Sequence, residues 1–216
     1  MSLPLLFVDE LRGFYKSKVM LFLWVGMPVV ALLVHLYIQS GDIPISALSA
    51  LLVSTLSGTL ASAMLVVSIL NERERHVFDL FVVRPVKRRD LLLAKFFAVY
   101  LCVVAAAMIA VGVGAIIDYF GASVPMGVLL DGVAKSLVMS FAMLAVTAAA
   151  GVLIGIAAPS MLVGVILVIY GGNQISGMIG AAGLYLENDA LTILLGLAVA
   201  VVLLAISLRV FERKQL

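Results

Sequence analysis

Uninterrupted apolar runs, each about as long as a bilayer is thick, constrain this chain more than any other feature. A helix needs about 20 predominantly apolar residues to cross the hydrocarbon core, and six stretches reach or approach that length: 19–38, 48–70, 91–117, 133–157, 161–179 and 190–208. Barrel strands alternate apolar and polar residues, whereas these runs are continuous, so helices are the spanning structure that satisfies the backbone. The expected fold is an all-α integral membrane protein forming a single transmembrane domain over residues 1–216. Composition agrees: 64% of residues are hydrophobic and 12% charged, against roughly 45–50% and about 25% in soluble domains. With 216 residues mostly committed to lipid, no soluble domain of about 100 residues fits, and any energy-consuming engine is expected on another chain.

Orientation follows from the basic residues, which remain on the cytoplasmic side. Arg12, Lys16 and Lys18 precede the first run; Arg73, Arg75, Arg84, Lys87, Arg88, Arg89 and Lys95 lie between or beside the second and third; Arg209, Arg213 and Lys214 close the chain. Of the 14 basic residues only Lys135 falls on the other side, where the loops carry Asp42, Asp118, Asp131, Glu187 and Asp189. Both termini are therefore expected in the cytoplasm, and the protein in the cytoplasmic membrane of a prokaryote as a multi-pass protein. Lys135 follows Asp131 by four residues, a spacing that lets the two pair on one helix face; an ion site is the alternative.

Residues 1–18 place Phe7, Leu11, Phe14 and Tyr15 at helical spacing among Asp9, Glu10, Arg12 and Lys16. This reads as an amphipathic interfacial helix or as a juxtamembrane extension of the first span. Ala50, Ser54, Gly58 and Ser62 recur every fourth residue, and Gly151 and Gly155 do the same in the fourth run. Small residues so spaced let helix backbones approach closely in lipid. Packing seams are the first expectation, with a substrate pathway at Ser54 and Ser57 the second. Tyr170-Gly171-Gly172-Asn173-Gln174 interrupts the fifth run, where the helix should loosen, end or re-enter before the sixth. Unwound backbone at membrane depth needs protein or a wet cavity around it, which makes Asn173 and Gln174 pathway candidates, or else partners in an interhelical hydrogen bond. Cys102, the only cysteine, falls inside an apolar run and reads as a small packing residue.

Several chemistries are excluded by what the chain lacks. No glycine-rich loop ends in Gly-Lys-Ser or Gly-Lys-Thr, so ATP is not bound in that manner. The two histidines, His35 and His76, lie on opposite sides of the bilayer by the orientation above, which excludes a shared metal. Ser57 has no histidine on a later helix to activate it, as an intramembrane serine protease would require. The central part of every span is free of charge, which argues against a proton-coupled secondary transporter. The chain is expected not to be an enzyme, and no nucleic-acid partner is expected.

The connection 71–90 is dense in both signs of charge and contains Val77, Phe78, Leu80 and Phe81. Pro85 should stop a helix there and bias Arg84 toward an extended conformation. Attraction to anionic lipid accounts for Lys87, Arg88 and Arg89 but not for Glu72, Glu74 and Asp79. A charged helix with exposed phenylalanines suits a protein partner's groove better.

From Glu72 to Lys95 the chain resembles ABC type-2 transporter permeases, with Glu72, Glu74, Leu80, Pro85, Asp90, Leu91 and Lys95 at matching positions and Ile175-Ser176-Gly177 similar to the end of the family's fifth helix. His76 stands where the family commonly has glycine, and Phe78 where it has leucine. The resemblance implies a permease subunit that pairs with a second permease chain, as homodimer or heterodimer, and with ABC ATPase subunits that bind ATP and Mg; this chain itself would hold no cofactor. It implies a cytoplasmic coupling helix between the second and third spans, with Glu72, Glu74, Arg75, Phe78, Asp79, Leu80, Arg84 and Pro85 as the ATPase-coupling surface. It also implies a re-entrant segment between the fifth and sixth spans, and outward movement of a hydrophobic or amphiphilic substrate, or of an ion. A membrane scaffold or assembly factor that recruits a cytoplasmic partner is the rival from another class, and a self-powered secondary transporter the other alternative.

Overall fold

The computed structural model describes residues 3–37, 45–74, 88–121, 126–172, 174–175, 177–178 and 189–213. Among them the chain is entirely helical. Seven helices follow in order: α1 (Leu3–Tyr15), α2 (Lys18–Tyr37), α3 (Ile45–Glu74), α4 (Arg88–Gly121), α5 (Met126–Ala157), α6 (Met161–Leu167) and α7 (Asp189–Arg213). α6 runs directly into a π-helical turn, Val168–Gly172.

Four segments are long and apolar enough to cross a bilayer: Leu52–Glu74, Arg89–Ile117, Leu130–Ala157 and Ala190–Phe211. A fifth is reached if α1 and α2, bent by 66° at their junction, are counted as one span. The expected first run, carried by α2, is long and apolar enough only when joined to α1. In the expected fifth run the described residues are helical over Met161–Leu167, π-helical over Val168–Gly172 and helical again at 174–175 and 177–178, with Met161–Gly172 by itself shorter than a bilayer requires. The loosening expected around Tyr170 is thus present, starting at Val168. Other boundaries shift outward. α4 and α5 both begin before the expected runs, at Arg88 and Met126, and α3 continues through Glu74. Residues 71–74 and 88–90, expected in the connection, accordingly belong to helices α3 and α4.

The break between α1 and α2 has a local cause. The Ser17 hydroxyl accepts from the Val19 amide at 3.3 Å, while the Ser17 amide donates to the Phe14 carbonyl at 3.0 Å. The same serine therefore closes one helix and caps the next. α1 packs chiefly on α4, burying Leu6 and Phe14 and half-burying Phe7 and Leu11, with Leu5, Val8 and Tyr15 outside. α1 is thus amphipathic and bent away from α2 by 66°.

α3 and α5 form the central pair, and α7 packs on the other side of α5. The seam between α3 and α5 consists of small residues. A Cβ on Gly151 would lie 2.7 Å from the Ser62 Cα, and one on Gly58 would lie 2.7 Å from Thr147 Oγ1; at Gly155 the nearest atoms belong to Ile69 and Val66. Gly58, Ser62, Gly151 and Gly155 thus lie where α3 and α5 approach closely; Ala50 lies in the first turns of α3. Gly196 extends the principle to α7, where a Cβ would meet that of Ala142 at 2.8 Å. Close approach gains dispersion energy between backbones where lipid offers no hydrophobic drive. The outer faces of α2, α4 and α7 carry Leu21, Phe22, Leu101, Met108, Leu194 and Val201 exposed, as expected for helices that are apolar all round.

Candidate functional site

The unusual feature of the bundle is a cation buried at one end. Lys95 sits near the start of α4 with only 2% of its surface exposed. Its Nζ donates to Glu10 Oε1 on α1 at 2.7 Å, to Glu72 Oε1 on α3 at 2.5 Å and to Ser68 Oγ, also on α3, at 3.4 Å. An ammonium has three donors, and each finds an acceptor. Ser68 and Glu72 are four residues apart and share a helix face, while the α1–α2 bend brings Glu10 against the same point. Leaving such a cation without partners costs several kcal/mol, so the three helices are held together by a cluster that is stable only when complete. With both carboxylates ionised, the cluster carries one more negative than positive charge.

Arg73 strengthens the same end. Its guanidinium donates to the carbonyls of Ala158 and Pro159, each at 3.2 Å. These oxygens follow the last turn of α5, where carbonyls lack helical partners and a cation is favoured by the helix dipole. Ser160 then starts α6, its hydroxyl accepting from the Val163 amide at 3.4 Å. Consecutive residues Glu72 and Arg73 therefore tie α3 to α1 and α4 on one side and to the α5–α6 turn on the other.

Beside the Lys95 cluster lies a cavity of about 650 Å³. Phe14, Val19, Leu60, Met64, Val67 and Val165 form its apolar wall, and Ser17, Asn71, Glu10, Glu72 and Lys95 supply polar groups. The second carboxylate oxygen of Glu72, Oε2, is buried and has no hydrogen-bond partner among the described residues. Among the described residues no group of three or more His, Cys, Asp or Glu side chains is placed to hold a metal.

Of the residues expected to couple to an ATPase, Glu72 is in the buried cluster and Glu74 is exposed at the end of α3. Arg75, Phe78, Asp79, Leu80, Arg84 and Pro85 lie outside the described residues. Ser54 and Ser57, named for a pathway, are buried within the chain. Ser54 Oγ donates to Met143 Sδ at 3.7 Å, and Ser57 Oγ donates to the Val53 carbonyl of its own helix. Asn173 is outside the described residues, as are 179–188, where the re-entrant segment was expected; Gln174 is exposed. Lys135 and Asp131 pair at 3.1 Å as their spacing predicted, and Cys102 is buried.

Sequence reasoning placed Lys95 among the cytoplasmic basic residues and missed its partners. A signal was present: Lys95 stands between Ala94 and Phe96 inside an apolar run, and a charge there demands an opposite charge nearby. Which acids would supply it was not readable from spacing. Compared with known proteins, the chain matches no family model, and no curated protein matches it.

Proposed function

We propose that this chain is the membrane-spanning permease subunit of an ATP-driven transporter of the ABC type-2 kind, set in the cytoplasmic membrane of a prokaryote with both termini inside. In this reading six segments engage the bilayer, the short α6 and its π turn being continued by the residues that follow. A second permease chain and separate ATPase subunits carrying ATP and Mg complete the assembly, and the cargo is a hydrophobic or amphiphilic molecule moved outward.

One observation carries the reading beyond the sequence resemblance. Glu72 and Lys95 flank the charged connection 75–87 and are bonded directly to each other, and Lys95 is also bonded to Glu10. A push on that connection would be delivered to α1, α3 and α4 together, and through Arg73 to the α5–α6 turn. That is the mechanical requirement for an element that passes ATPase motion into a bundle, since coupling needs an element both sites can bias. A scaffold that merely recruits a partner has no need for such a rigid junction.

The test is purification of the tagged chain from its native membranes, with identification of what accompanies it, compared with a chain carrying Phe78→Ala and Asp79→Lys. An ATPase with a phosphate loop that accompanies the intact chain and is lost from the altered one supports the reading. If none accompanies the intact chain under conditions that preserve other membrane complexes, the reading falls and the scaffold replaces it.

A further inference from the structure

The cavity beside Lys95 has a composition that selects its occupant. Its wall is apolar over Phe14, Leu60, Met64 and Val67, and the Glu10–Lys95–Glu72 cluster is part of its lining. Three features point the same way. The volume of about 650 Å³ lies within the range of about 300–1,000 Å³ typical of small-molecule pockets. The cluster's formal charges leave an excess of one negative charge, which disfavours an anionic head and favours a cationic one. Among the described residues Lys95 is the one cation in the cavity's lining and is shared between both carboxylates, so neither is matched by a cation of its own. A protonated amine would supply the missing charge, and an alkyl chain attached to it would cover the apolar wall.

We infer that this cavity is a binding site for a single-chain cationic amphiphile, its ammonium group beside Glu72 and its apolar chain along Phe14, Leu60, Met64 and Val67. The site does not depend on the permease reading, because binding is a property of the folded chain alone. Lys95 has a positioning role here: it orients the two glutamates and, by neutralising only one of them, leaves the site anionic.

The experiment uses the full chain in phosphatidylcholine nanodiscs, with empty nanodiscs as baseline, and measures equilibrium binding of dodecylammonium, dodecanol and dodecyl sulfate at neutral pH. Dodecylammonium should bind at least about tenfold more tightly than either of the others. Gly13 lines the cavity and a Cβ there would meet nothing within 4 Å, so Gly13→Phe should fill the space without disturbing the fold and should weaken dodecylammonium binding by about tenfold or more. Glu72→Gln, which keeps an acceptor for Lys95, should abolish the preference for the cation while leaving dodecanol unchanged. Equal affinity for the three probes, tighter binding of dodecyl sulfate, or binding indifferent to Gly13→Phe would each overturn the proposal. The probe comparison and Gly13→Phe decide the matter even if the Glu72 variant fails to fold.

Discussion

Lys95 Nζ and Glu10 Oε1 lie 2.7 Å apart although 85 residues separate them in the chain. The pair joins the amphipathic α1 to α4, and Glu72 completes it from α3. Everything else at this end of the bundle, including the cavity and the Arg73 contacts, is arranged around it.

Lys95→Met should therefore be among the most damaging single substitutions in the chain. It removes a cation that is 2% exposed and leaves two partly buried carboxylates facing each other, for a loss of about 3 kcal/mol. Adding Glu10→Gln and Glu72→Gln to Lys95→Met should recover part of that loss, because no unpaired charge then remains. Unfolding of the purified chain in mixed micelles measures both. A single variant as stable as the parent would show that the cluster contributes nothing.

Gly151→Ala and Gly112→Ala should change stability in opposite directions. At Gly151 the added Cβ meets the Ser62 backbone at 2.7 Å, and backbone cannot step aside, so α3 and α5 must separate at a cost of about 1–3 kcal/mol. At Gly112 on α4 the Cβ meets nothing within 4 Å, and replacing a mid-helix glycine should stabilise by about 0.5–1 kcal/mol. The same unfolding assay reads both. Equal effects would refute the packing account of the seam.

Arg73→Ala should loosen the turn between α5 and α6 without disturbing the Lys95 cluster. Losing both bonds to Ala158 and Pro159 should cost about 1 kcal/mol and appear as faster amide exchange at Ala158 and Gly164, whose amides bond to Ile154 at the end of α5 and to Ser160 at the start of α6, on either side of that turn. Arg73→Lys should restore only part of the protection, because a lysine cannot present a planar fork to two carbonyls.

Cys102 should resist a water-soluble maleimide in the folded chain and react on unfolding. Its side chain is buried between helices with 3% exposed, and the reacting species is a thiolate that needs access and a polar surrounding. Mass spectrometry of labelled protein before and after denaturation checks this; rapid labelling of the native chain would place Cys102 on a wet surface instead.

The amino-acid sequence alone determined the helical class, the spacing that pairs Asp131 with Lys135, the small-residue faces of α3 and α5, and the weak point near Tyr170. All of these depend on residues within one or two turns of each other, or on the transfer of whole segments out of water, and such properties are carried by local pattern. The partners of Lys95 and the way α1 packs against α4 were decided by tertiary structure. Sequence shows that a buried charge must be matched, because the penalty for isolation is a property of the charge itself. Which of many acids comes within 3 Å depends on how α1, α3 and α4 pack, and that packing is a sum over contacts between residues far apart in the chain.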